Sequence, residues 1–498
     1  MRSFGLVTRK SRNKSVTRYS NQPQEKYPVN QSRNQCPRWF FYCLLLASFT
    51  FSSCATWYQR NLAFQTAVYN GELDKAEKLL EKESKQADSK NRILYYLNKG
   101  YVEFSLGHLQ ASNEAFETAE RLTEDFTKNI GAEAAALLTN PEVRPYRPED
   151  FEVIMINFYK ALNYLSLNDM EGALVEVRKI NIKLNALNDR YPDHKNRYQQ
   201  DAFAHLLMGL IYDASGDANN AFIAYRNAYE VYESDYAKNY GISAPEQLKQ
   251  DLMRTAYACG FREELRQYEK TFQQQYTPSP SNGQGELVLF WLNGMGPVKA
   301  EWSINFLKQQ RGDGAIVFYN QELDLMFPFF IGSGYSESER NSIANLQMLR
   351  VAFPKYVERP PLFTRGNLKA NNRTYSLEIA ENINGIAFKT LHDRMVRELA
   401  NSLLRVAAKK GVEHLARQEN EWLGFAASII NSITEKADTR NWQTLPHSIY
   451  YTRIPLSPGQ NNITLQLSSP TTTITKQLTI EGKNKRTNFQ VFQSLDSQ

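Results

Sequence analysis

The chain has 498 residues, too long for one ordinary core, and its length favours two to four units. Composition is 42% hydrophobic, 22% charged and 12% aromatic, with a mean hydropathy of −0.54. These values exclude a wholly disordered chain and a polytopic membrane protein, and 24 Gly with 4 Cys exclude collagen-like and disulfide-scaffold classes. The net charge of +6 does not point to nucleic acid. Residues 1–53 hold nine Lys/Arg against Glu25, so the rest holds 50 basic and 52 acidic side chains. A body of net charge −2 has no surplus to displace counterions from phosphate.

Residues 1–38 are polar and basic, and Trp39 to Gln59 contains no charge. A positive region, a short apolar core and small residues define a secretory signal. Cys54 follows Ser52-Ser53, the placement of a lipoprotein cysteine that is acylated and becomes the first mature residue. Phe51 departs from the aliphatic residue usual there. The alternative is an uncleaved signal anchor, since about 20 uncharged residues just suffice to span a bilayer. Either way the basic tail stays inside and the remainder is exported. Ala55 after the cysteine resembles an outer-membrane-bound lipoprotein. With Cys54 acylated, Cys259 is the last thiol, so no intramolecular disulfide and no multi-cysteine metal site is expected.

From Trp57 to Tyr276 the apolar period is near 3.6. One unit recurs: a helix with small and aromatic residues, a Gly or Asn turn, then a helix with an early Ala or Ser. Gly209-Tyr212-Gly216-Ala221-Tyr225-Ala228 is the clearest case, with Gly100-Gly107-Ser112-Phe116-Ala119 and Ala161-Tyr164-Asn168-Ala173-Val177-Ile180 beside it. These offsets resemble the tetratricopeptide repeat, with irregular spacing and insertions at 139–150 and 188–200. Tyr164, Tyr212 and Tyr225 read first as groove fillers, and as candidate contacts for a protein or peptide.

Residues 277–285 read as a linker. Strands are expected at 286–292, 315–319, 349–353, 375–379, 449–455, 463–467, 474–480 and 488–492, with a long helical stretch at 386–437. The organisation is a leader (1–53), an all-α tetratricopeptide-like domain (54–276), the linker, and an α+β domain (286–498) of sandwich-like sheet with a helical insertion.

No catalytic constellation stands out. There is no His-Glu-x-x-His, no Gly-x-Ser-x-Gly elbow and no phosphate loop. Neither a cofactor nor a metal is expected. A hydrolase would require His392, Glu413, His414 and Glu421 to converge.

Residues 437–446 (Ala-Asp-Thr-Arg-Asn-Trp-Gln-Thr-Leu-Pro), with Arg453-Ile454-Pro455-Leu456-Ser457-Pro458-Gly459 and Asn293-Gly294-Met295-Gly296-Pro297, resemble a family of uncharacterised bacterial envelope lipoproteins. The resemblance spans about residues 54–480. It implies a tetratricopeptide-like first half, a mixed second half and no assigned catalytic residues. Members are loosely associated with lipoproteins that activate peptidoglycan synthases. From the residues themselves, Trp442 and Leu445 should pin the turn before the sheet, with Trp442 also a candidate contact for a partner. Arg440 and Arg453 should pair with acids or face a ligand. The expected function is a lipid-anchored periplasmic scaffold, at the outer membrane by its Ala55, that binds an envelope protein or peptide through its repeats. A regulator of peptidoglycan synthesis, with peptidoglycan as a partner, is the alternative, and a glycan or peptide hydrolase ranks third.

Overall fold

The computed structural model describes residues 61–128, 144–189, 198, 200–278, 284–310, 316–320, 325–329, 348–394 and 437–495. The leader, Cys54, residues 139–143 and 190–197 of the two repeat insertions, and residues 395–436 of the expected helical stretch lie outside them. The N-terminal half is helical and the C-terminal half is rich in sheet.

The helices are α1 (Leu62–Tyr69), α2 (Leu73–Lys82), α3 (Arg92–Leu106), α4 (Leu109–Lys128), α5 (Asp150–Ser166), α6 (Met170–Asp189), α7 (Ala202–Ala214), α8 (Ala218–Val231), a short α9 (Ala237–Tyr240), α10 (Glu246–Ala258) and α11 (Arg262–Phe272). They form hairpins α1/α2, α3/α4, α5/α6, α7/α8 and α10/α11, each packed on the next. Each hairpin turns through a left-handed residue: Gly71, Gly107, Asn168, Gly216 or Gly260. Gly and Asn adopt that conformation at least cost, which is why they punctuate the repeat. The early small residues of the second helices, Ala76, Ser112, Ala173 and Ala221, are fully buried. Facing them, a Cβ on Gly100 would stand 2.6 Å from the Phe116 ring, and one on Gly209 would run into the Tyr225 ring. Small residues there set the interhelical distance.

The strands are β1 (Gly285–Asn293), β2 (Val298–Gln310), β3 (Ile316–Asn320), β4 (Leu325–Phe329), β5 (Met348–Val357), β6 (Arg365–Ala370), β7 (Arg373–Glu381), β8 (Ser448–Leu456), β9 (Gly459–Ser468), β10 (Thr473–Gly482) and β11 (Thr487–Ser494). One sheet runs β10-β9-β6-β7-β8-β1-β11 and a second runs β4-β3-β2-β5. Within the larger sheet β1 is antiparallel to β8 and parallel to β11. Each expected strand has an observed counterpart. β2, β4 and β6 are not among the expected strands: Lys, Asn and Gln interrupt the apolar alternation of β2 and β6, and β4 is a five-residue apolar run holding Pro328.

The larger sheet curls. Leu287, Leu289 and Trp291 of β1 share one core with Leu368, Leu377, Ile454, Leu465 and, less buried, Leu478 and Phe492, so every one of its seven strands contributes. The terminal strands approach each other, with Lys476 of β10 lying 4.9 Å from the centre of the Phe492 ring of β11. A sheet folded around its own core, rather than two sheets face to face, replaces the expected sandwich. On the opposite face of β1, Val288, Phe290 and Leu292 join the helical core. Alternation thus assigns one strand to two cores.

Residues 55–498 form one compact unit. Helices α5 and α7 contact β11 and β7, Ser105 of α3 donates to Gln493 of β11, and the first backbone amides of α10 donate to Glu378 of β7. The first helix of successive pairs therefore faces the sheet. Among the described residues no helix is long and apolar enough to cross a membrane.

Candidate functional site

The chemistry-bearing side chains concentrate where helices meet sheet. Trp442 is buried, with Phe116 and Tyr159 each 5.7 Å away between ring centres. Its backbone amide donates to Glu152 (2.7 Å) and its indole donates to Thr444 (2.8 Å). Glu149 and Glu152 form the capping box of α5. Lys299 of β2 reaches Glu149 at 2.6 Å, and Arg394 pairs with the same carboxylate. Burial would push the Glu149 carboxyl up, but Arg394 and then Lys299 overcome it and hold it at about 2. Glu152 is pushed up to about 7 by burial and then by Glu149.

Arg440 lies against Asp438, with Nε–Oδ1 at 2.8 Å and Nη2–Oδ2 at 2.6 Å, and donates to Asn91 at 3.0 Å. Arg453 of β8 reaches Asp213 of α7 at 2.6 Å and Asp251 of α10 at 3.1 Å. It also donates to Glu286 of β1 at 3.0 Å. Arg254 completes the network on Asp213 and Asp251, and Tyr225 donates to Asp213 at 3.2 Å. Both arginines thus pair with acids of this chain.

A third cluster surrounds Asp201, the N-cap of α7. It accepts from Ala204 N and from Tyr198 OH, while Tyr236 donates to Glu381 at 3.0 Å. Burial, and then the nearby Asp201, push the Glu381 carboxyl well above the usual carboxylate range. Tyr232 seals the cluster by donating to the Ala380 carbonyl at 2.7 Å.

Of the residues expected to bind a partner, Tyr225, Arg440, Trp442 and Arg453 are buried, and a partner would have to part helices from sheet to touch them. Tyr164 and Tyr212 are half-buried. Tyr164 packs where a Cβ on Gly172 would stand 2.7 Å from its ring, and Tyr212 carries the Arg178 guanidinium 5.6 Å from its ring centre. Cys54 lies outside the described residues, as do Glu413, His414 and Glu421. His392 is exposed.

Sequence reasoning missed Lys160, which is buried between Glu117, Glu120 and Glu176, and the Asp213–Asp251 pair. Lys160 sits on the apolar stripe of α5, and a charge there was the available signal. Among the described residues Glu77, Glu103 and His108 bring one possible metal-ligand atom each within 4.8 Å of one another. His108 is placed by the turn at Gly107: its amide bonds back to the Glu103 carbonyl, and its Nδ1 lies 2.9 Å from the Glu103 carboxylate. A helix C-cap accounts for that contact without an ion. The crevice between Tyr101, Tyr159, Leu292 and Gln493 leaves no room for a water molecule, far short of the ~300–1,000 Å³ of ordinary ligand sites.

No family model matches the chain, and no curated protein matches it. Six chains among solved structures do. One crystal structure of MamA is 15% identical, with a TM-score of 0.27 over 41% of this chain and 89% of that one. Another of MamA protein is 15% identical, with 0.26 over 44% and 96%. BtubC (BKLC) from P. vanneervenii is 16% identical, with 0.29 over 49% and 89%. Likenesses this shallow carry neither fold detail nor function to this chain.

Proposed function

We propose that the chain is a protein-interaction scaffold of tetratricopeptide-like helix pairs, anchored by lipid at Cys54 and facing the periplasm of a bacterial envelope. The observation that supports the interaction reading is the division of labour within the pairs. The first helices bury their inner faces on the chain's own sheet, so the groove that such repeats usually offer a peptide is filled from within. The second helices look outward. On α6, Val175 is 50% exposed and Ile182 67% exposed. Residues seven apart share one helix stripe, and exposed apolar stripes mark contact surfaces. The partner is thus a protein that meets the outer face, not a peptide threaded through the groove.

A photo-crosslinking residue at Val175 or Ile182 in the full-length protein, followed in cells by mass spectrometry, tests the reading. One abundant envelope protein captured from both positions is expected. Capture of nothing beyond background from either position would contradict it. Cys54→Ala tests the anchor separately: loss of the acyl mass and of membrane fractionation is expected, and unchanged fractionation would refute the anchor alone.

A further inference from the structure

The part of the curled sheet formed by β7, β6, β9 and β10 has an outward face unlike the rest of the molecule. Its inward positions, Leu368, Ile463, Leu465 and Leu467, are buried, so pleat alternation fixes the outward ones. The register aligns Ser376, Asn367, Gln466 and Thr475 in one row across four strands, and Thr374, Lys369, Thr464 and Gln477 in the next. Arg365, Ser468 and Thr473 make a third row. No aromatic ring stands in these rows, and the carboxylate that the β7 alternation brings opposite Arg365, Glu378, is engaged by the first amides of α10.

The cations on the face itself are Arg365 and Lys369; Lys476 turns to the Phe492 ring, Lys483 lies 3.8 Å from Glu481 and Arg486 donates to Asn168. Arg365 and Lys369 are exposed, and neither has an ion-pair partner among the described residues.

We infer that this face binds an acidic glycan. Each Asn, Gln, Ser and Thr offers a donor and an acceptor, which is what a chain of sugar hydroxyls requires. Rows about 4.8 Å wide per strand present those groups to an extended polymer at several points. Arg365 and Lys369 supply the charge complement of sugar carboxylates, Arg as a planar fork and Lys as a point charge. A single-stranded nucleic acid would require aromatic platforms for its bases, and the rows have none. A lipid surface would draw on a denser basic cluster or an apolar edge. The inference rests on a different face from the outer helices and stands or falls separately from the scaffold reading.

The test is affinity electrophoresis of the purified full-length protein through gels containing polygalacturonate, with neutral dextran as the control. Retardation by polygalacturonate, weakened by salt and absent in dextran, is expected. The double variant Arg365→Gln/Lys369→Gln should bind about tenfold more weakly, two charge-assisted contacts having been removed. Arg226→Gln/Arg266→Gln removes the same net charge from exposed helix positions and should leave binding unchanged. No retardation of the wild-type protein would overturn the inference. So would equal weakening by both double variants, or tighter binding to phosphatidylglycerol vesicles than to polygalacturonate.

Discussion

Arg453 and Asp213 join the two halves of the molecule: Nη1 on strand β8 lies 2.6 Å from Oδ2 in the last turn of α7. An anion there faces the negative end of the helix dipole, and burial alone would raise its pKa. Arg453, and then Arg254, reverse both effects and hold the Asp213 carboxyl well below the usual range. The sheet thus supplies the charge that lets the helix end where it does.

Removing that charge leaves Asp213 and Asp251 to share Arg254 alone inside the interface. Arg453→Met is expected to cost about 3–5 kcal/mol, the usual penalty for breaking a buried pair on one side. Urea denaturation measures it. A cost below about 1 kcal/mol would place the network among surface-like pairs.

Acid should loosen the structure in a defined window. Glu120 and Glu149 are each held at about 2: burial opposes this, while Lys183 with Lys160, and Arg394 with Lys299, overcome it. An unfolded Glu titrates near 4.3. With the folded value depressed, their stabilisation is fully present above about pH 5 and is lost as pH falls toward 2. Glu152 and Glu381, which burial pushes up, act the other way between pH 7 and about 4, so the test lies below that range: urea midpoints at pH 4, 3 and 2 should fall in that order. Glu120→Gln should lower the midpoint at pH 7 and flatten the decline. An unaltered slope in the variant would show that Glu120 does not carry it.

Close helix approach predicts intolerance of one methyl group. Gly209→Ala drives a Cβ into the Tyr225 ring and should cost about 1–3 kcal/mol by overpacking. Gly71→Ala, where a Cβ meets nothing within 4 Å, should cost less, through its positive φ of 70° alone. Melting temperatures of the two variants check the order.

Trp442 fills the seam between the Phe116 and Tyr159 rings. Trp442→Ala should cost about 3–5 kcal/mol, and Trp442→Phe less, with loss of the indole bond to Thr444. Thermal unfolding of both variants measures the difference.

The helix pairs were legible because Gly, Asn and small residues recur at fixed offsets, and each of those positions is set by a steric demand of the turn or the crossing. The strands with clean alternation, such as Ile463-Thr464-Leu465-Gln466-Leu467, were legible for the same reason. What sequence could not show is partnership at a distance. Arg453 lies 202 positions from Asp251, and nothing local in either segment names the other. The curl of the sheet was hidden likewise, since alternation in β1 reveals two buried faces but not that one closes on itself. Tyr225 and Trp442 read both as packing residues and as candidate contacts, because an aromatic's burial depends on what the fold lays over it.

The central claim is that helices and sheet fold as one unit, with the sheet filling the face of the first helices. Equilibrium urea unfolding, followed at once by helical circular dichroism and by tryptophan fluorescence, tests it most directly. Of the six tryptophans, Trp291 reports the sheet core and Trp442 the seam, each read as the difference between the wild-type signal and that of its Trp→Phe variant. The account predicts coincident transitions by all probes, as for a two-state unit. A helical transition clearly separated from the Trp291 transition would contradict it.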